Sequence, residues 1–252
     1  MNETPDDSVM VVLGVALVVV LGILAVIAIV HQMKIERQRR EAYARLATEY
    51  GLRYRTDPSV PIDRHFPAFD CFQQGHSRRL NHLLDGRVRT PDGHSIDLLA
   101  GEWTYKITTS NGKSTSTTTY EFGFVILGPG LGAWPGLQVR RENLLDKVAG
   151  ALGWDDIDFE SVEFSKKFHV KSGDKRFAYD LLDPRIIELF LIADSIPQVD
   201  LAGEHLCLHY SRSTRLEPPM LKLLIQWGVL FIDRIPRVAR AGLAEGRYGG
   251  SR

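Results

Sequence analysis

The stretch His205-Leu206-Cys207-Leu208-His209-Tyr210 gathers the side chains best suited to chemistry in this chain. Imidazole and thiolate are ligands of zinc and copper. Read as a strand, the stretch places His205, Cys207 and His209 on one face and Leu206, Leu208 and Tyr210 on the other. Neighbouring ligands along one flat strand then stand about 7 Å apart, too far to converge on one ion. Two readings follow: a metal or ligand sensor at this strand, or a half-buried strand whose polar face meets solvent or another element. His205, Cys207 and His209 are therefore candidates only, and no cofactor is assigned.

Other patterns exclude more than they suggest. Gly128-x-Gly130-x-Gly132 has the look of a phosphate loop, but a dinucleotide site needs a strand, a glycine turn and then a helix. Here Pro129 and Pro135 punctuate the run, Leu137-Gln138-Val139 is strand-like, and no Lys follows in the P-loop position. The acidic run Asp155-Asp156-Ile157-Asp158-Phe159-Glu160 lacks the spacing and glycine of a calcium loop. It reads as a helix-initiating turn, where carboxylates favour the helix N-terminus. No G-x-S-x-G or H-E-x-x-H occurs, and neither cysteine stands in a nucleophile motif. No catalytic residue is named. Arg78, Arg79 and Asn81 are polar binding candidates, with exposed strand positions as the plain alternative.

The elements around these residues begin with an apolar run from Val9 to Val30, free of charged, Pro, Asn or Gln side chains. As a helix it is roughly 33 Å long, enough for a hydrocarbon core of about 30 Å. Glu3, Asp6 and Asp7 precede it; Lys34, Arg37, Arg39, Arg40 and Arg45 follow. That asymmetry predicts an N-terminus outside and the remainder in the cytoplasm, single-pass in the inner (plasma) membrane. A cleavable signal peptide wants a basic start, a shorter core and a small-residue exit, none of which is present.

The chain carries 31 basic and 31 acidic residues, and three of the acidic ones precede the apolar run. The remainder is thus only slightly basic, which argues against nucleic acid as a partner. Two cysteines make no disulfide framework and fit a reducing compartment.

Beyond the anchor, residues 31–51 form an amphipathic stalk helix with Ile35, Ala42, Tyr43, Leu46, Ala47 and Tyr50 on one stripe and Gly51 as its stop. Its basic face is either a solvated helix side or a contact to anionic headgroups. Residues 52–140 read as mainly strands. The clearest pair, His94–Ile107 and Ser114–Leu127, flanks Asn111-Gly112, which predicts a type I′ hairpin turn. The hydroxyl-rich tip reads as an exposed ribbon. Phe66, Phe69 and Phe72 read as anchors under a loop, and 128–136 as a loop. In 141–235 the pattern predicts a helix over 142–152, a strand over 168–171, and a helix from Pro184 to Ala193 with Asp183 as N-cap. A hairpin around Ala202-Gly203 follows, then a helix over Leu216–Ile235, too short to span and either core or laid on a membrane or partner. Residues 236–252 read as a disordered basic tail.

The residues Glu160-x-x-x-Phe164-x-x-x-Phe168-x-Val170, then Asp174, then Ala178-x-x-x-Leu182-x-Pro184, carry a resemblance. They resemble the signature of a domain-of-unknown-function family of bacterial membrane-anchored proteins. Phe72 to Asn81, with Gly75, Arg78 and Asn81, is similar to related proteins. The resemblance covers about residues 155–211 and implies an anchored α+β module, with no activity or catalytic residue attached. The expectation is therefore an α+β protein: residues 1–8 as a short outer tail, a transmembrane helix over 9–30, the stalk, then a two-part mixed strand and helix region, 52–140 and 141–235. The favoured function is non-enzymatic: a membrane-tethered binding or scaffold module held in the bilayer by Val9–Val30 and engaging a protein partner. An enzyme with a cleft between the two parts is the rival.

Overall fold

The computed structural model describes residues 7–141, 155–193, 197–210 and 217–248. They divide into two units, Met1–Ala42 and Tyr43–Arg252. The first is built on α1 (Asp7–Tyr50), an unbroken helix. Among the described residues it is the one helix long and apolar enough to cross a membrane. Its side chains from Val15 through Met33 are exposed, as a lipid-facing surface requires. Beyond them Glu36–Arg40 and Arg37–Glu41 pair one turn apart, the (i, i+4) spacing that supports an exposed helix.

In the second unit the last turns of α1 bury Tyr43, Leu46 and Ala47, three positions of the expected stripe. Gly51 ends the helix at φ +66°, a conformation costly for other residues. Among the described residues nine strands follow in one sheet: β1 (Arg53–Arg55), β2 (His76–Arg89), β3 (Ser95–Ser110), β4 (Thr115–Gly128), β5 (Trp134–Arg141), β6 (Asp155–Asp156), β7 (Phe168–Ser172), β8 (Gln198–Gly203) and β9 (His205–His209). Their spatial order is β1-β2-β3-β4-β9-β8-β5-β7-β6, and every pairing is antiparallel. The helices are α2 (Ile62–His65), α3 (Val162–Lys167), α4 (Lys175–Leu181), α5 (Pro184–Ile192), α6 (Pro218–Asp233) and α7 (Arg237–Ala244).

Both faces of this sheet are buried along its middle, and strand alternation assigns each residue. On β4, Val125 and Leu127 join a larger core formed with the end of α1 and with α3 to α7. Phe122, Phe124 and Ile126 join a second core on the opposite face. The cover of that second core is the segment 57–75, whose Ile62, Phe69 and Phe72 are almost fully buried. Phe69 and Phe72 are the anchors expected from their spacing; Phe66 is partly buried beside them. Gly75, at φ +60°, returns this cover into β2 so close to β3 that a β-carbon would collide with the Lys106 carbonyl.

Several local expectations are met. Asp183 caps α5 by accepting from the backbone N–H groups of Arg185 and Ile186, with Pro184 at the first position. Ser161 and Asp174, not singled out from the sequence, cap α3 and α4 in the same way. Phe164, Phe168 and Val170 are buried together, the two rings stacked with centroids 5.0 Å apart. The hydroxyl-rich ends of β3 and β4 are exposed.

Others are corrected. The division at residue 140 is absent, because β4 pairs with β9 and the sheet runs straight through. From 236 to 248 the tail is not irregular. It forms α7, and Ala239, Leu243 and Tyr248 are buried, Tyr248 donating to Asp180 at 2.9 Å. Ala and Gly give this helix a small apolar face that its arginines mask in the sequence. The β3–β4 turn is not type I′, since Gly112 has positive φ but Asn111 does not. Instead Asn111 Oδ1 accepts from the backbone N–H of Lys113 and Ser114, a side chain standing in for a backbone turn. Strand β5 begins at Trp134, inside the expected loop. Asp155 and Asp156 form a strand against β7 rather than a helix-initiating turn. The helix expected over 142–152 lies outside the described residues, as do residues 1–6 of the expected outer tail. The last long helix, α6, is core: Leu221, Leu224, Ile225, Phe231 and Ile232 are buried against the sheet.

Candidate functional site

The strand predicted to present His205, Cys207 and His209 on one face does so, but that face is covered rather than open. It belongs to the second core, under the 57–75 segment. Sequence alternation found the face; nothing local to the strand announced its lid. The three side chains then part company. His205 packs edge-on against Phe66, centroids 5.0 Å apart, and burial lowers its pKa below the ordinary imidazole value. It belongs to no group of converging ligands among the described residues.

His209 is joined instead by Asp200 and Cys71, whose ligand atoms and its own all lie within 4.8 Å of one another. All three are buried, at 6, 3 and 8% exposure. The register explains the gathering. Asp200 on β8 faces Cys207 on β9, and Gln198 faces His209, so Asp200 projects on the same face as both. Cys71 comes from the 3-10 turn Asp70–Phe72 of the cover, wedged beside the buried Phe69 and Phe72. His209 Nε2 stands 3.1 Å from Asp200 Oδ2, while its Nδ1 lies 3.2 Å from the Tyr210 carbonyl. Phe122 packs on the imidazole at 5.4 Å.

Cys207 adjoins this group. Burial, and then a hydrogen bond with Cys71, pushes its thiol well above the usual range. Burial alone would lower His209, but the electrostatic influence of Cys71 and the hydrogen bond to Asp200 outweigh it and raise the imidazole. Asp200 Oδ1 is buried without a hydrogen-bond partner, and Arg140 Nη2 stands 3.8 Å from it. Two thiols, an imidazole and a carboxylate thus share one buried place with an unsatisfied oxygen.

The other candidates do not converge. Arg78 binds the cover: its Nη1 donates to Asp63 Oδ2 at 3.1 Å, its Nε to the Gln74 carbonyl at 3.1 Å, and its Nη2 to the Gln73 carbonyl. It positions the segment that carries Cys71. Arg79 meets Asp57 at the surface at 3.1 Å, a pair too exposed to contribute much. Asn81 donates across the strand to Thr104 at 3.2 Å. A separate groove of about 790 Å³ runs beside Phe159, Tyr179, Pro184, Ile187 and Leu191, and its lining holds no histidine, cysteine or basic residue.

A second cluster escaped the sequence reading. At the β2 bulge His82 takes φ +49° and its ring stacks against Tyr43 and Tyr54, 4.7 and 6.1 Å away. Tyr54 and His82 Nδ1 share a 2.7 Å hydrogen bond, and Tyr43 donates to the buried Glu102. The bulge breaks the alternation that would have placed His82.

Compared with known proteins, the chain matches no family model and no curated protein by sequence. Its fold is similar to the crystal structure of the mycobacterial trehalose monomycolate transport factor A, TtfA. The TM-score is 0.53 at 11% identity, covering 80% of this chain and 94% of that one. The likeness is one of fold.

Proposed function

We propose that this chain is a membrane-tethered scaffold, anchored by the apolar part of α1, whose α+β module holds a protein partner of a transport or envelope assembly. The observation that carries the reading is the fold shared with a protein described as a transport factor. The anchor adds to it: an N-terminal helix long and apolar enough to span, acidic before the span and basic after it. The same charge pattern supports an N-terminus outside and a cytoplasmic module, single-pass in the inner membrane. The sequence signature over residues 155–211 fits such an anchored module.

Two fusions and a cross-linker test this. A reporter active only in the cytoplasm, joined after Arg252, is expected to work, and one active only after export is expected to fail. A photo-reactive residue at Leu223, which is exposed on α6, is expected to give a discrete adduct with an integral membrane protein in intact cells. The reverse reporter result overturns the topology. Free diffusion of the chain without any adduct, from Leu223 or from the exposed Tyr179, overturns the scaffold.

A further inference from the structure

We propose that Cys71, Cys207, Asp200 and His209 bind one divalent transition-metal ion, zinc by the character of the donors, and that this ion fastens the 57–75 cover to the sheet. The donor set is the first ground. Thiolate, imidazole and carboxylate are the ligands of zinc sites, and four protein ligands make a closed, structural one. Cys71, Asp200 and His209 already converge within 4.8 Å. Ligands around a tetrahedral zinc stand about 3.3 Å apart for an N and O pair, and His209 Nε2 and Asp200 Oδ2 are 3.1 Å apart. Cys207 lies outside those three but faces Asp200 across the β8–β9 hairpin on the same side of the sheet, where it is the thiol for a fourth position.

The second ground is hydrogen-bond accounting. Metal-bound histidines donate their other ring N–H to a carbonyl or carboxylate, which fixes the tautomer. His209 has that arrangement, with Nδ1 at 3.2 Å from the Tyr210 carbonyl. With Nδ1 turned to that carbonyl, Nε2 faces a carboxylate oxygen. At 3.1 Å in a buried place, either a proton or a metal ion joins that nitrogen to the carboxylate. Asp200 Oδ1 is buried without a hydrogen bond, with the Arg140 guanidinium 3.8 Å away. A proton on His209 would join the same two atoms but leave the Cys71 thiol unengaged. An ion would join Nε2 to the carboxylate and also engage the Cys71 thiol that converges with them.

The third ground is placement. Cys71 belongs to the cover, whereas Asp200, Cys207 and His209 belong to the β8–β9 hairpin. One ion here ties a loop to strands more than a hundred residues further along the chain. Phe122 packs on the His209 ring, and Phe72 and Phe124 belong to the same buried cluster as Cys71 and Cys207.

The test uses the full chain in detergent, reduced, stripped with chelator and titrated with Zn²⁺ against a chromophoric competitor. One equivalent is expected, with a rise in melting temperature. Co²⁺ in its place should give thiolate charge-transfer absorption and the intense visible bands of a tetrahedral site. Cys71→Ser, Asp200→Asn and His209→Gln should each weaken Zn²⁺ by more than the roughly 10–100-fold that loss of an outer-shell partner costs. His205→Gln should leave affinity unchanged. The wild-type cobalt spectrum keeps the test decisive even where a ligand variant loses its fold. A folded, reduced wild-type chain that takes up no stoichiometric metal overturns the proposal. So does a Cys71–Cys207 disulfide in the protein as isolated from cells, or loss of binding in His205→Gln.

Discussion

Gly228 on α6 gives a sharp test of how that helix meets the sheet. A β-carbon there would lie 2.7 Å from Leu127 Cδ1 and 2.7 Å from Leu208 Cδ1, whereas ordinary contact begins at 3.4 Å. Both leucines are fully buried, so neither methyl can swing into open space. Overpacking of this kind costs about 1–3 kcal/mol. Alanine also gains about 1 kcal/mol of helix propensity over glycine, so Gly228→Ala should lose up to about 2 kcal/mol net. Gly228→Val adds two methyl groups and forfeits part of that gain, and should lose about 3 kcal/mol or more. For a domain of this size each kcal/mol moves the melting temperature by about 2–4 °C. Melts of the full chain in detergent, followed by near-ultraviolet circular dichroism, should therefore rank wild type, Gly228→Ala and Gly228→Val in falling order. Leu223→Ala, on the exposed side of the same helix, should melt within about 0.5 kcal/mol of wild type. A valine variant as stable as wild type would show that α6 does not press on β4 and β9, and that its apolar face serves a membrane or partner instead.

Phe168→Ala should cost about 3–5 kcal/mol, because Phe168 is 4% exposed and its ring meets both Phe164 and Phe190. The same melts measure it, and an unchanged midpoint would place the ring at the surface. Tyr248 should titrate at about 12 rather than 10, because burial and its hydrogen bond to Asp180 favour the neutral phenol. The folded state thus holds the proton more tightly than the unfolded one, so this contribution to stability is complete below pH 10 and is lost as pH rises toward 12. The difference in phenolate absorbance between wild type and Tyr248→Phe isolates that one group, and a midpoint near 10 would mean the hydroxyl faces water.

What the sequence disclosed follows the range of the forces involved. The β3–β4 hairpin, the Asp183 cap and the β8–β9 hairpin each depend on residues a few positions apart, so local pattern located them. Phe164, Phe168 and Val170 were legible because α3 and β7 adjoin. The pairing of β4 with β9 was not, since Leu127 and Leu206 carry no mark of each other. For the same reason His205, Cys207 and His209 were found as a face while Cys71, Asp200 and the cover above them were not. Asp200 looked like one acid in a short strand, and Cys71 like one of two reduced cysteines with no framework. Helix α7 was missed because its buried face is alanine, glycine and one leucine, which periodicity weighs lightly. His82 was missed because a bulge, not alternation, aims it.

The β4–β9 pairing also governs the order in which this sheet can be completed. Strands β1 to β4 are neighbours in sequence and in space, and can zip together as they leave the ribosome. Strand β9 is the partner of β4 across Phe124–Leu127 and His209–Leu206, and nearly eighty residues must be made before it arrives. Closing so long a loop is slow relative to local hairpins. Through that interval β4 presents an open edge rich in Phe, Val, Ile and Leu, the kind of edge that recruits a stray strand. Under the proposed membrane tether, the chain would spend this vulnerable period attached by its first helix, which makes neighbouring nascent copies the natural misassembly partners.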